Sequence, residues 1–267
     1  MKTKEFEVNY TEMFTSVLKD KGTISQCFRT FHNYSVNNQF LAFWQLHCRG
    51  KEISPISSFS NWNKLNRKIK KGEKAIFLWM PIGGIKKEVE DKETGEKKEV
   101  VVGTRFKYLP RWFAYSQTEP MNGEAEKDME AYTIPSFDFN KMYKELGIKL
   151  IAFDKLNGNI QGYARPFRKE LALNPLAEDL EMTIFHEVTH ILLHGDEEKS
   201  EKNPALKELE AETVAYICGS VLGLPDEQLE RSRGYVQGFF NGNEIPEKNA
   251  KNIMKAAQMI LKFGLGE

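Results

Sequence analysis

A chain of 267 residues is long enough for two ordinary domains or one large one, and a hydrophobic content of 40% is enough to bury a core. No apolar run reaches the length of a membrane span and no basic-then-apolar segment opens the chain, so a membrane partner is excluded and a cytoplasmic location is expected; three cysteines without paired spacing suit free thiols and argue against a cysteine-based zinc site. The net charge of zero is unevenly divided, with 21 Lys+Arg against 12 Asp+Glu up to Tyr115 and 17 against 26 from Ser116 onward, which suggests a basic module that meets a polyanion followed by an acidic one.

In chain order, residues 6–21 carry apolar side chains at helical spacing up to Gly22, and 36–48 form a second helical pattern ended by Gly50. A short helix is expected near 61–68, then an apolar strand over 75–80 stopped by Pro81. Residues 85–109 read as a hairpin with a charged turn at 91–95, and Trp112 to Tyr115 as a further strand. Between Lys64 and Lys74 lie six bases against one acid, flanked by Phe59, Trp62, Phe77 and Trp79. Basic groups that track phosphates, beside rings on which bases stack, are the working parts of single-strand binders. Trp62, Lys64, Arg67, Lys70, Lys71 and Lys74 are the expected binding residues, and single-stranded DNA the expected partner. The segment 119–135 reads as a linker, which gives domains at 1–118 and 136–267.

The second domain starts with a helix at 137–146, then strands at 149–153, 160–164 and 171–173, with Asn157-Gly158-Asn159 as a turn. Asn174-Pro175 and Asn203-Pro204 each read as a helix start, and two more helices are expected at 226–240 and 246–263. The first of these helices contains His186-Glu187-Val188-Thr189-His190. Histidines four apart share a helix face and reach one metal ion, and the glutamate beside the first can touch a metal-bound water. As two core histidines, the pair would leave Glu187 on an apolar helix with no evident partner, which is costly.

Zinc needs a third ligand. Glu210 lies on the inward stripe of the next helix with Leu206, Val214 and Ile217, and is the expected ligand, with Glu208 as the alternative. Glu208 or Glu212 would then orient a histidine. His194 is expected to be structural or to support a ligand, not to be one. Glu187 is the expected general base, and zinc polarises the scissile carbonyl. Tyr163 and Tyr235 are the expected oxyanion donors, with Tyr216 also open, and the strand Gln161 to Ala164 is the expected edge for an extended peptide.

Two blocks of motifs resemble known families. Tyr34-Ser35-x-Asn37-Asn38, Trp62 followed by Lys70-Lys71-Gly72-Glu73-Lys74-Ala75-Ile76, and Tyr115-Ser116-Gln117-Thr118-Glu119 resemble the N-terminal domain of ArdC-type antirestriction proteins. The His186 to His190 motif, Glu208-x-Glu210-Ala211-Glu212-x-Val214-Ala215 and Tyr235 resemble the peptidase domain of those proteins and of the ImmA/IrrE metallopeptidases. The resemblance implies an α+β fold in which an α+β domain binding single-stranded DNA precedes a mostly helical, gluzincin-like zinc peptidase domain with a small sheet. It further implies a protein of a mobile element that shields incoming DNA from restriction and acts on a protein or peptide. The Thr-Gly that often follows the second histidine in ArdC proteins is missing here. Two other readings stay open: a DNA-binding protective protein with a structural zinc, and an ImmA-like peptidase that cleaves a repressor.

Overall fold

The computed structural model describes residues 8–20, 22–90, 97–122, 132–155, 160–196 and 201–266. The expected turns at 91–95 and 157–159 and the middle of the expected linker lie outside them. The fold is mixed α and β, with helices predominating and small sheets. It divides into two compact units, Met1–Trp44 with Met129–Glu267, and Gln45–Asp128. That division departs from the expected linker at 119–135, because the first helices pack with the C-terminal part of the chain. No helix among the described residues is long and apolar enough to cross a membrane.

In the first unit, α1 (Tyr10–Leu18) and α2 (Thr23–Phe31) bury Met13, Phe14, Val17, Cys27 and Phe31. Helix α2 was not foreseen, since its strongly one-sided pattern is short and polar on average. The backbone N–H of Val36, which opens α3 (Val36–Cys48), donates to Gln258 Oε1 at 2.7 Å. After α5 (Phe139–Leu146) comes a three-stranded sheet of β6 (Lys149–Ile151), β7 (Gly162–Arg165) and β8 (Glu170–Leu173) in the order β6-β8-β7. Strand β7 is thus an edge.

Helix α6 (Leu180–His194) starts later than Asn174-Pro175 suggests. The Asn174 side chain instead closes a turn by accepting from the Leu176 N–H at 2.9 Å and donating to Ile160 O at 2.9 Å. Asn203 does cap α7 (Pro204–Leu222), accepting from the Ala205 N–H, with Pro204 in its first turn. Helices α8 (Asp226–Phe240) and α9 (Glu247–Leu265) complete the unit, and α9 buries Ile253, Met254, Ala257, Ile260 and Leu261.

The second unit is built on a long antiparallel ribbon of β3 (Ile76–Glu90) and β4 (Lys97–Ala114), flanked by β1 (Ile56–Ser58) on β4. Pro81 does not stop β3. It lies opposite Phe106 beside a register shift, on a strand that borders the sheet, where a missing N–H costs no ladder bond. Helix α4 (Phe59–Lys64) and the pair β2 (Arg67–Ile69) and β5 (Thr118–Pro120) close the unit.

Candidate metal centre

Helix α6 presents His186 and His190 one turn apart, held by the buried side chains of Phe185, Val188 and Ile191. Their Nε2 atoms face each other at 3.1 Å. Helix α7 brings Glu208 to the same point, with an oxygen 3.5 Å from His186 Nε2 and another 3.6 Å from His190 Nε2. One ligand atom from each of the three residues lies within 4.8 Å of the others. Two imidazoles and a carboxylate suit zinc or another divalent transition metal.

The carboxylate that converges with the two histidines is that of Glu208, not the expected Glu210. Glu210 does lie on the inward face, at 0% exposure, but its carboxylate turns to His194 Nε2 at 2.9 Å and to the side-chain amides of Asn249 at 3.1 Å and Asn252 at 3.0 Å. Glu208, by contrast, keeps about half its side chain in solvent (49%) and turns its oxygens to the two histidines. Glu212, also open to orienting a histidine, approaches His186 Nδ1 at 3.5 Å and accepts from Ser232 Oγ. His194 Nδ1 lies 2.8 Å from His190 Nδ1. Asn249 and Asn252 escaped the sequence reading. The signal was present: Asn249 shares the inward stripe of α9 with Ile253, Ala256 and Ile260.

The electrostatics follow from this crowding. Burial alone would lower the His186 pKa, but the carboxylates of Glu208, Glu212 and Glu187 outweigh it and raise the value. Burial and the neighbouring His186 push His190 down to about 4. The hydrogen bond with His186 holds Glu208 below its usual range. Burial raises Glu187, although His186 and a backbone hydrogen bond from Ala164 pull the other way. That bond ties Glu187 to the edge strand β7.

Two clefts meet at Glu187. One of about 290 Å³ is lined by Gly162, Thr183, His186, Glu212 and Arg231, the other of about 580 Å³ by Tyr163, Phe167, His190 and Lys207. The two tyrosine candidates separate here. The Tyr163 hydroxyl donates to Asp154 Oδ1 at 2.6 Å. Tyr235 is 41% exposed, its hydroxyl donates to Ala205 O on α7 at 3.5 Å, and burial followed by the charges of Glu208 and Glu212 raises its pKa. Tyr216 is buried and lies among Arg233, Asp226 and Glu230.

In the other unit, two expected DNA-binding residues prove structural. Trp62 is 2% exposed and its indole N–H donates to Phe113 O at 2.8 Å. Arg67 is 8% exposed, donates to Thr118 Oγ1 at 2.7 Å and stacks on the Tyr115 ring at 3.8 Å. Lys64, Lys70, Lys71 and Lys74 are exposed, with Lys70 Nζ donating to Ser116 O at 2.9 Å. The half-buried rings of Phe77, Trp79 and Tyr108 group on one side of the ribbon, with centroids 5.3 Å apart for Phe77 and Tyr108 and 5.2 Å for Trp79 and Tyr108. Phe106, two residues before Tyr108 and so on the same face, is 56% exposed.

Residues 12–109 match the family model described as the N-terminal domain of anti-restriction factor ArdC. No curated protein matches the chain. Among solved structures, the Mn(II)-bound form of the antirestriction ArdC protein from the R388 plasmid is similar over 95% of this chain and 97% of that one, at 16% identity and a TM-score of 0.53. The metal-free form covers 95% and 96%, at 17% identity and a TM-score of 0.49. At such identity the likeness to the Mn(II)-bound form speaks for the fold.

Proposed function

We propose that this ArdC-type protein serves antirestriction as a divalent-metal peptidase that also binds single-stranded DNA. The observation that carries the peptidase reading is the convergence of His186 Nε2, His190 Nε2 and Glu208 with the Glu187 carboxylate beside them. A purely structural metal site has no use for that carboxylate. The three residues would hold zinc or manganese, which when bound supplies Lewis acidity and a water of lowered pKa. With the metal in place, Glu187 would act as the general base toward the attacking water and pass the proton on to the leaving amine. Its pKa, raised by burial, moves toward the working range of a general base. An extended peptide adds along β7, whose Ala164 N–H already positions Glu187. Tyr235 donates its hydroxyl proton to the developing oxyanion. The likeness of the motif to ImmA/IrrE peptidases supports the same chemistry.

For the DNA, the exposed Lys64, Lys70, Lys71 and Lys74 supply phosphate contacts, and the strip of Phe77, Trp79, Tyr108 and Phe106 takes over the stacking role expected of Trp62. The test of the peptidase reading is cleavage of an unstructured protein such as casein by purified protein loaded with zinc or manganese. Cleavage lost on chelation, restored by metal and missing in Glu187→Gln is expected. Undiminished cleavage by Glu187→Gln would refute it.

A further inference from the structure

We propose that Glu210 and His194 are positioning residues that dictate which nitrogen of His190 is free to bind the metal. The inference rests on reading His186, His190 and Glu208 as the metal centre. It starts from the fully buried Glu210. Its Oε1 accepts from the side-chain N–H groups of Asn249 at 3.1 Å and Asn252 at 3.0 Å. The amide of Asn249 is itself held in that orientation, because the same Nδ2 donates to Glu201 Oε2 at 3.0 Å. Reversed, it would aim a carbonyl oxygen at two carboxylates. The other oxygen of Glu210, Oε2, lies 2.9 Å from His194 Nε2. A carboxylate oxygen accepts, so that nitrogen carries the proton.

The remaining steps follow from imidazole having one N–H when neutral. With its proton on Nε2, His194 has a lone pair on Nδ1. Across 2.8 Å it accepts from His190 Nδ1, which must then be the protonated nitrogen of His190. The Nε2 of His190 is left with its lone pair, aimed at His186 Nε2 3.1 Å away and at Glu208. A carboxylate with no contact to the centre thus fixes the tautomer of a ligand through a second histidine. His186 is served without a relay, by Glu212 at its Nδ1. The relay also accounts for a buried carboxylate and a 5%-exposed histidine, groups that are costly to bury without partners.

Glu210→Gln tests this with almost no change of shape. Asn249 and Asn252 hold the carbonyl oxygen of the new side chain, so its NH₂ faces His194 Nε2. That nitrogen must then accept, His194 donates from Nδ1, and the proton of His190 shifts to the nitrogen that should bind metal. Affinity for zinc and manganese, measured by competition with a chelator at fixed pH, is expected to fall about 10- to 100-fold. Glu208→Ala, which loses a ligand, sets the lower limit. Affinity of the Gln variant within about twofold of wild type would overturn the relay. If that variant does not fold, side-chain nitrogen NMR of metal-free wild type decides: a proton on His190 Nδ1 is expected, and one on Nε2 overturns the proposal. Failure of wild type to bind either ion would instead remove the metal centre, and the NMR measurement would still judge the relay.

Discussion

Around the metal centre the least exposed polar groups are the most connected. Glu210 at 0% and His194 at 5% exposure have each acceptor and donor tied to a named partner, and the chain of contacts ends on His190. In the ribbon unit the candidate binding groups lie at the surface instead. Of the six bases between Lys64 and Lys74, only Arg67 is buried, and the ribbon leaves Phe106 at 56% and Val101 at 67% exposure. Buried polar groups act as a unit, since removing one strands the others. Exposed charges and half-covered rings act more nearly one by one. Substitutions near the metal should therefore give large, shared losses, and those on the ribbon small, additive ones.

The largest effect expected is that of Glu187→Gln, on the order of 10²- to 10⁴-fold in kcat with metal content unchanged. Cleavage assays paired with metal analysis check it. A loss of metal in parallel would mean that Glu187 belongs to the buried network and not to the chemistry. Next comes Trp62→Ala. As a 2%-exposed indole bonded to Phe113 O, it should cost the ribbon unit about 3–5 kcal/mol in denaturant unfolding. Retained stability with lost DNA affinity would return Trp62 to the binding surface and break the contrast between the two units.

The two regions also differ in how much of them could be read beforehand. The meeting of His186 and His190 was legible because a helix converts spacing into direction: residues four apart meet. The same rule put Glu210 on the inward face, correctly, but an inward face says only that a group is buried. Whether it points at the metal depends on α9, whose Asn249 and Asn252 come from a segment about forty residues away. Burial was thus predictable and partnership was not. In the ribbon unit, the basic excess was visible as composition, yet composition cannot separate Arg67, folded onto Tyr115, from Lys71 in solvent. Likewise Trp62 and Trp79 look equivalent in sequence. Only the pairing of β3 with β4 sets Trp79 beside Tyr108 while α4 turns Trp62 inward. The run of β3 through Pro81 has the same origin, since tertiary context overrode a local signal.

Trp79→Ala and Phe106→Ala should leave unfolding nearly unchanged and weaken single-stranded DNA binding by about 1–3 kcal/mol for each base that loses its stack. Titration at several salt concentrations checks this together with Lys71→Ala and Lys74→Ala. Each lysine change should flatten the dependence of log K on log salt by about 0.7 if it removes one phosphate contact. Equal salt slopes in wild type and lysine variants would leave the basic excess without a role in DNA binding.

The smallest effect expected is acid-dependent and belongs to the ribbon unit alone. Burial tends to raise the Glu73 pKa, but hydrogen bonds from Lys51 at 2.6 Å and Gln117 at 2.9 Å outweigh it and hold the value below the usual glutamate range. The unfolded chain then takes up this proton more readily than the folded one. The stabilisation is present above the ordinary glutamate pKa and is lost as pH falls through the lower folded value. Glu73→Gln should remove about 1 kcal/mol near neutrality and little once wild-type Glu73 is protonated. Unfolding followed from pH 7 downward, about 7 being where the carboxylate is fully charged, should show the two stability curves converging in acid. Curves that stayed parallel would mean that Glu73 is held by shape and not by charge. The ribbon unit would then resemble the metal-site unit more closely than its exposed surface suggests.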